Sequence, residues 1–157
     1  MAIRNSAKAI VVDNGRILLN RCTSRFGEYY ALPGGGQNPG ETLIEAVKRE
    51  LLEETGYRVQ PMRLSGIYER IADRPGADGE AICHKLYFVF LCRLADPKPL
   101  SPTEHDRFQI GLEWMNIKDV RTSNLFPHAI RDNINALIGS GETIYIGSEK
   151  EKGLLGK

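Results

Sequence analysis

The sequence predicts a single domain of the α/β class, a sandwich in which helices cover a β-sheet. Apolar runs typical of strands lie early and near the centre of the chain, whereas helical patterns occur once early and once late. Of the 157 residues, 41% are hydrophobic and 26% are charged, and no repeat or polar linker divides them. This composition is typical of a globular domain with one core. We expect the domain to cover residues 1–147 and a flexible tail to cover residues 148–157.

Charge, hydropathy and cysteine content exclude several classes of protein. The 21 basic and 20 acidic residues are interspersed, so we expect no nucleic-acid polymer as a partner and favour a small ligand. No apolar run approaches the ~20 residues that cross a bilayer. The N-terminus lacks the pattern of a signal peptide, so we expect no membrane partner and a cytoplasmic location. Three cysteines without C-x-x-C spacing predict neither a disulfide framework nor a zinc site.

A hairpin is predicted near the N-terminus. Residues 7–13 (AKAIVVD) and 16–20 (RILLN) are short apolar runs of the kind that form strands. They are joined at Asn14 and Gly15, a dipeptide that favours a tight hairpin turn because both residues tolerate a positive φ. Two antiparallel strands are therefore expected.

A helix is predicted over residues 42–55 by signals at both of its ends. Thr42 and Glu45 have the T-x-x-E spacing of a capping box, no helix breaker lies inside the segment, and Gly56 follows it. A glycine at that position suits the left-handed residue with which helices often end.

The later part of the chain predicts more sheet and a second helix. Residues 57–72 alternate loosely, as expected for one long or interrupted strand. Residues 84–94 (HKLYFVFLCRL) form an aromatic and β-branched run typical of a central strand covered on both faces. After a proline-rich loop we expect a short strand over residues 112–115, a helix over 127–137 with a proline near its first turn, and a last strand over 143–146.

The loop before the first helix resembles a phosphate-binding loop with one contradictory residue. Residues 31–42 read ALPGGGQNPGET, and from Gly35 onward they keep the glycine spacing of a P-loop. Glu41 stands where a P-loop has the lysine that adds positive charge for the phosphates. A glutamate would repel the same ligand, so a degenerate P-loop is a poor explanation of this segment.

Three glutamates on the first helix supply a better explanation. Glu50, Glu53 and Glu54 are spaced i, i+3 and i+4 and must share one helix face. Each pair of like charges at such spacing costs about 0.2–0.5 kcal/mol, and we expect Arg49 to relieve part of this through Glu45 and Glu53. A hard divalent cation such as Mg²⁺ or Mn²⁺ would compensate the rest. The alternative interpretation is an acidic, solvated helix face.

Loop and helix together carry a pattern that resembles the Nudix box, G-x5-E-x7-R-E-U-x-E-E-x-G-U, in which U is a bulky aliphatic residue. The matching residues are Gly35, Glu41, Arg49, Glu50, Leu51, Glu53, Glu54, Gly56 and Tyr57. Tyr57, at the last apolar position, is the one departure. The resemblance to MutT-like Nudix hydrolases implies an α/β/α sandwich with a mixed β-sheet, in which the catalytic helix follows a glycine-rich loop.

The resemblance also implies an activity and roles for residues. It implies a hydrolase that cleaves the diphosphate linkage of a small nucleotide, or of a nucleoside diphosphate joined to another moiety, with Mg²⁺ or Mn²⁺. The alternative is a catalytically silent domain that binds a nucleotide as a sensor. Dimers are common among such enzymes, so a homodimer is possible. The implied metal ligands are Glu50, Glu53, Glu54 and a backbone carbonyl near Gly34, with Glu53, Glu54 and the orienting Arg49 as catalytic residues and Glu41 as a further carboxylate.

Residues outside the box complete the candidate site. Family members often take a further carboxylate from a late loop, and Glu104 lies in the corresponding stretch, with His105 and Asp106 as rivals. Arg21 and Arg25 precede the loop and are candidates for binding a phosphate, although solvated surface side chains are an equal alternative. Gly35 is expected to help bind the substrate through its backbone. The sequence leaves nucleoside triphosphates, ADP-ribose and nucleotide sugars open as substrates.

Overall fold

The computed structural model describes residues 2–72, 83–105 and 107–151. Within these ranges no helix combines the length and the apolar character that crossing a bilayer would need. The elements of the described chain are β1 (Arg4–Asp13), β2 (Arg16–Ser24), β3 (Gly27–Ala31), β4 (Gly34–Gly36), α1 (Leu43–Thr55), β5 (Val59–Ala72), β6 (Cys83–Leu94), β7 (Gln109–Asn116), α2 (Ile117–Val120), α3 (His128–Asp132), α4 (Ile134–Gly139) and β8 (Ile144–Glu151).

The strands form one mixed sheet in the order β3-β2-β1-β6-β5-β8, with β4 paired to β1 and β7 paired to β2. β1 runs parallel to β6, and β5 runs parallel to β8, whereas the other pairs are antiparallel. α1 packs on one face of this sheet, and the three later helices contribute to the core on the other face. The predicted α/β/α sandwich is confirmed, and the run predicted as a central strand is β6, between β1 and β5.

Alternation along β1 separates the two cores. Ala7, Ala9 and Val11 are fully buried in the core beneath α1, whereas Ile10 lies in the opposite core with Ile130 of α3. This period of two is the one that a strand covered on both faces requires. The two alanines have small side chains, which lets α1 lie close above β1. The predicted turn that joins β1 to β2 is also confirmed, with positive φ at both of its central residues.

Local signals fix both ends of α1, as predicted. The hydroxyl of Thr42 accepts a hydrogen bond from the Glu45 N–H at 3.1 Å, and the Glu45 carboxylate accepts one from the Thr42 N–H at 2.8 Å. At the other end Gly56 adopts a φ of 76° and its N–H bonds to the carbonyl of Leu52. Because Glu45 serves the capping box, the predicted ion pair between Glu45 and Arg49 is wrong.

The residue after α1 also anchors the loop that follows β6. The carbonyl of Gly56 accepts a hydrogen bond from the Leu100 N–H at 2.8 Å, and that of Arg58 accepts one from the Ala95 N–H at 2.9 Å. The last carbonyls of a helix have no partner inside the helix, so an incoming loop can satisfy them. The loop between β6 and β7 therefore packs across the C-terminal end of α1.

Substituting Gly56 by alanine is expected to destabilise the fold by at least ~2 kcal/mol. The new Cβ would lie 1.8 Å from the carbonyl oxygen of Leu100, on a backbone whose φ of +76° disfavours side chains. Gly139→Ala is the matched control, because no atom lies within 4 Å of a Cβ built there. Urea denaturation of both variants measures the difference, and equal midpoints for Gly56→Ala and the wild type would contradict it.

The late helix differs from the prediction of one helix over residues 127–137. Two short helices, α3 and α4, meet at Asn133, whose φ of −102° and ψ of 9° leave the helical region. The Asn133 Nδ2 donates a hydrogen bond to the carbonyl of Ala129 at 2.7 Å. An asparagine side chain that bonds nearby backbone in this way competes with the helical pattern. Pro127 is the N-cap of α3 and precedes its first turn.

The C-terminal strand is longer than predicted. β8 continues to Glu151, where it pairs with Ala72 at the end of β5. Residues 148–151, which were expected in the tail, therefore belong to a strand, and residues 152–157 lie outside the described chain. The flexibility of the tail stays a prediction. The sequence could not reveal this extension, because it depends on the length of the neighbouring strand rather than on local pattern.

Tyr57, the departure from the family pattern, makes a ring contact and a hydrogen bond that an aliphatic residue could not make. Its ring lies edge-on to that of Trp114, with ring centroids 5.6 Å apart. The Tyr57 hydroxyl accepts a hydrogen bond from the Trp114 Nε1 at 3.3 Å. Such edge-to-face pairs are favourable beyond the area that they bury. Trp114 therefore packs against the residue that follows the C-cap of α1.

Candidate active site

Two glycines of β4 allow the loop to approach both the sheet and the helix. Gly34 has a φ of +134°, and a Cβ there would lie 2.1 Å from the carbonyl oxygen of Ala7 on β1. A Cβ at Gly35 would lie 2.6 Å from the carboxyl carbon of Glu50 on α1. Because glycine has no side chain, Gly34 lets β4 lie against β1, and Gly35 leaves room for the carboxylate of Glu50.

Arg49 binds three of the predicted carboxylates, those of Glu41, Glu50 and Glu53. Its Nε and Nη2 donate to the two carboxylate oxygens of Glu41 at 2.6 and 3.0 Å. Its Nη1 donates to Glu50 at 2.9 Å and to Glu53 at 3.2 Å, and Nη2 also donates to the Gly36 carbonyl at 2.9 Å. The hydrogen bond from Arg49 holds the pKa of Glu41 below its ordinary value, and the same pair raises the pKa of Arg49. Arg49 thus ties loop to helix.

Glu54 is the most buried carboxylate of the predicted set, with 6% of its surface exposed. One of its oxygens accepts hydrogen bonds from the Gly34 N–H at 2.9 Å and from the Asn20 Nδ2 at 3.1 Å. Burial raises the pKa of Glu54, and burial also raises the pKa of Glu50. Asn20 was not predicted as a site residue, and its position at the end of the apolar run of β2 was the available signal.

Four of the predicted carboxylates, Glu50, Glu53, Glu54 and Glu104, border one pocket of about 310 Å³. The loop that carries Glu104 reaches it because the N–H groups of Thr103 and Glu104 both donate to the backbone carbonyl of Glu53 at 3.0 Å. His105 lies on the same pocket, whereas Asp106 lies outside the described residues. The pocket is lined by Ser6, Lys8, Gly34, Gly35, Gly36, Glu50, Glu53, Glu54, Lys85, Tyr87, Glu104 and His105.

Lysine and tyrosine residues on this pocket were missed by the sequence reasoning. The Lys8 Nζ donates a hydrogen bond to the Gly34 carbonyl at 3.0 Å and lies 5.6 Å from the centre of the Tyr87 ring. Lys85 lies on the same pocket. A lysine inside an otherwise apolar strand, as in AKAIVVD, is the signal that could have pointed to Lys8, because a strand covered on both faces has no solvated side for it.

Arg21 and Arg25 make contacts with residues other than the carboxylates of the pocket. The Nη2 of Arg21 pairs with Glu28 at 3.4 Å, and the guanidinium of Arg25 lies 4.7 Å from the centre of the Phe26 ring. Neither arginine lines the pocket. Their binding to a substrate phosphate stays a prediction.

The pocket has the donor chemistry that a hard divalent cation requires. Glu50, Glu53 and Glu54 offer carboxylate oxygens, and Gly34 adds a carbonyl oxygen, all on one pocket. Such oxygen ligands are those that Mg²⁺ and Mn²⁺ prefer. Within residues 2–72, 83–105 and 107–151, no group of three or more acidic, histidine or cysteine side chains is arranged to hold an ion as it stands. Glu50 and Glu53 bond to Arg49 instead, and Glu54 bonds to the Gly34 N–H and to Asn20.

A mixed-sheet sandwich with a carboxylate-bearing helix after a glycine-rich loop is the architecture of a class of phosphoanhydride hydrolases. The family model described as the NUDIX domain matches residues 3–134. The chain belongs to the Nudix family, and it is a hydrolase that acts on acid anhydrides in phosphorus-containing compounds.

Individual relatives and structures agree with this assignment. The nucleoside triphosphatase NudI of Enterobacter sp. (strain 638) is 32% identical over 123 residues, which cover 74% of this chain and 84% of that protein. The nucleoside diphosphate-linked moiety X motif 6 protein of Xenopus laevis is 33% identical over 110 residues, 69% of this chain and 46% of that protein. A MutT protein structure from Bacillus halodurans covers 96% of this chain and 92% of its own, with 24% identity and a TM-score of 0.70, which shows the fold.

Proposed function

We propose that this chain is a pyrophosphohydrolase that requires Mg²⁺ or Mn²⁺ and cleaves the phosphoanhydride of a small nucleotide. One observation carries this proposal: Glu50, Glu53, Glu54 and Glu104 come from two separate elements and border a single small pocket. Four carboxylates around one pocket repel one another; Arg49 pairs with two of them, and a divalent cation among them would offset more of that repulsion. An ordinary solvated helix face would not require the fourth carboxylate to arrive from another part of the chain.

We assign the metal to Glu50, Glu53, Glu54 and the Gly34 carbonyl. The chemistry that such an ion supplies is neutralisation of phosphate charge and activation of water. Arg49 positions the ligands, because its guanidinium contacts both Glu50 and Glu53 while it is held by the loop glutamate. The guanidinium is planar and has several donors, so it fixes the carboxylates in direction as well as in distance.

We assign Glu104 as the group that accepts the proton of the attacking water. Glu104 lines the same pocket as the proposed metal ligands, and its backbone N–H is bonded to the carbonyl of Glu53. A general base must lie within hydrogen-bond reach of the proton that it removes, directly or through one water. The neighbouring His105 is the alternative base.

The names of similar proteins suggest the first substrates to test. One relative is named a nucleoside triphosphatase, and an ADP-ribose pyrophosphatase from Methanocaldococcus jannaschii is 45% identical over 56 residues, which cover 36% of this chain and 33% of that protein. We therefore propose nucleoside triphosphates and ADP-ribose as the leading candidates, with nucleotide sugars as a third group.

The test is a panel of these compounds incubated with purified protein and Mg²⁺, with released phosphate measured with and without added phosphatase. We expect one compound class to be hydrolysed and EDTA to abolish the reaction. A thermal melt with Mg²⁺ and each nucleotide runs in parallel, because a ligand that binds the native state raises the midpoint. A raised midpoint without product would indicate a silent binding domain. The absence of both product and a raised midpoint would contradict the proposal.

A further inference from the structure

The pocket has a basic wall as well as an acidic one. Lys8 lies on β1 and Lys85 lies on β6, and these two strands pair in parallel with Ser6 opposite Tyr87. Alternate residues of a strand point to the same face, so Ser6 and Lys8 share a face with Tyr87 and Lys85. These residues and the glutamates of α1 line the same cavity. Two ammonium groups therefore accompany the carboxylates that are proposed to hold a divalent cation.

Among the described residues, neither the Lys8 nor the Lys85 ammonium group forms an ion pair with a carboxylate. The Lys8 Nζ bonds to one carbonyl, that of Gly34, and its charge opposes the rise in the pKa of Glu54 that burial causes. The Lys85 side chain makes no hydrogen bond or ion pair with another residue of the described ranges. A divalent cation in the pocket would be repelled by both lysines. An anion in contact with the lysines as well as the cation removes that repulsion.

A phosphate chain has the shape and charge for this position. Lysine binds phosphate as a mobile point charge with three donors. The pocket of about 310 Å³ lies within the ~300–1,000 Å³ range of ligand sites, so it has room for a phosphate chain. A terminal phosphate offers three free oxygens to the two ammonium groups, whereas a phosphate inside a diester-like linkage offers only two.

We propose that Lys8 and Lys85 bind a terminal phosphate of the substrate, so that the enzyme selects nucleoside triphosphates over ADP-ribose and nucleotide sugars. In ADP-ribose and nucleotide sugars both phosphates of the anhydride carry an organic group, and no terminal phosphate is present. This inference rests on the proposed function and names its substrate class. A bound phosphate would let the Lys8 ammonium release the Gly34 carbonyl, which is among the groups proposed to hold the metal.

The first test measures binding without turnover. Calorimetry in the presence of Mg²⁺ measures the affinity of a non-hydrolysable methylene analogue of a nucleoside triphosphate for the wild type, Lys8→Met and Lys85→Met. The control is Lys48→Met, because Lys48 is exposed on α1. We expect the analogue to bind at least about tenfold more weakly to each pocket variant, and equally to the control. Mn²⁺ alone should bind Lys8→Met at least as tightly as it binds the wild type. Wild-type affinity for the analogue in both pocket variants would overturn the inference.

The second test begins with the wild-type enzyme, whose preference among substrates does not depend on how the variants fold. We expect kcat/KM for nucleoside triphosphates to exceed that for ADP-ribose by at least about tenfold, and Lys8→Met to raise KM for the triphosphate more than KM for ADP-ribose. Preferred hydrolysis of ADP-ribose would overturn the assignment of the lysines while leaving the proposed function intact. Failure of the wild type to hydrolyse any of the compounds would instead contradict the proposed function.

Discussion

Replacing Glu54 by glutamine is expected to lower turnover by at least ~10²-fold while making the metal-free protein more stable at neutral pH. Glu54 accepts its two hydrogen bonds at one oxygen, and the glutamine carbonyl can accept the same two. The substitution removes a buried negative charge whose pKa burial raises. A loss of activity joined to a gain in stability is the result expected for a residue retained for function.

The gain in stability should depend on pH in a defined direction. Because the pKa of Glu54 in the folded state lies above its ordinary value of 4.5, the folded protein holds this proton more tightly than the unfolded chain does. The stability that the proton on Glu54 adds to the wild type is fully present below the ordinary pKa, and it is lost as the pH rises through the pKa of the folded state. The variant and the wild type should therefore be equally stable near pH 4, and the variant should be more stable at neutral pH.

Chelator-treated protein, unfolded by urea at several pH values, supplies the stability measurement, and turnover is read with saturating Mg²⁺. Glu45→Gln is the control, because glutamine preserves a capping box and Glu45 is exposed. Glu53→Gln should lose activity to a similar degree without the gain in stability, since its carboxylate pairs with Arg49 and is 28% exposed. Near-normal turnover of both Glu53→Gln and Glu54→Gln would refute their assignment.

The second large effect concerns a single methyl group in the loop. Gly35→Ala is expected to weaken Mg²⁺ binding and lower turnover by about 10–100-fold, with little change in stability. The new Cβ would lie 2.6 to 2.7 Å from the carboxylate atoms of Glu50. These atoms end a flexible side chain, so the carboxylate can swing away and the fold need not shift. The carboxylate would then leave the pocket in which it is proposed to bind the metal.

Gly36→Ala provides a closely matched control for this substitution. It is the next residue of the same strand, and no atom lies within 4 Å of a Cβ built there. We expect it to keep wild-type Mg²⁺ affinity and turnover, measured by calorimetry and by phosphate release. Equal losses in the two variants would show that the loop tolerates no added side chain for reasons unrelated to Glu50, and would contradict the prediction.

The parts of the structure that could be predicted from sequence are those that local chemistry determines. α1 was predicted with both ends because Thr42 and Glu45 bond to each other and Gly56 supplies the left-handed cap. The turn after β1 was predicted for the same reason. β4 was not predicted, because its three glycines show no pattern and pair with β1, far away along the chain. The break at Asn133 depends on a side-chain bond that composition alone does not reveal.

The candidate site divides in the same way. The shared face of Glu50, Glu53 and Glu54 follows from helical spacing alone, so the sequence was sufficient to propose it. Lys8 reaches the pocket only because β1 and β6 pair in a particular register. Glu104 reaches it through a loop folded against α1. Contacts of this second kind depend on the tertiary fold, and no spacing rule along the chain describes them.

The carbonyl of Glu53 joins two functions in one peptide unit. It accepts the N–H groups of Thr103 and Glu104, while the side chain of the same residue faces the pocket. The proposed proton acceptor and a proposed metal ligand are therefore tethered through neighbouring backbone atoms and keep their spacing whenever either one shifts. If both residues act as proposed, this shared carbonyl holds their backbones together before a substrate arrives, which lowers the ordering entropy that binding must overcome.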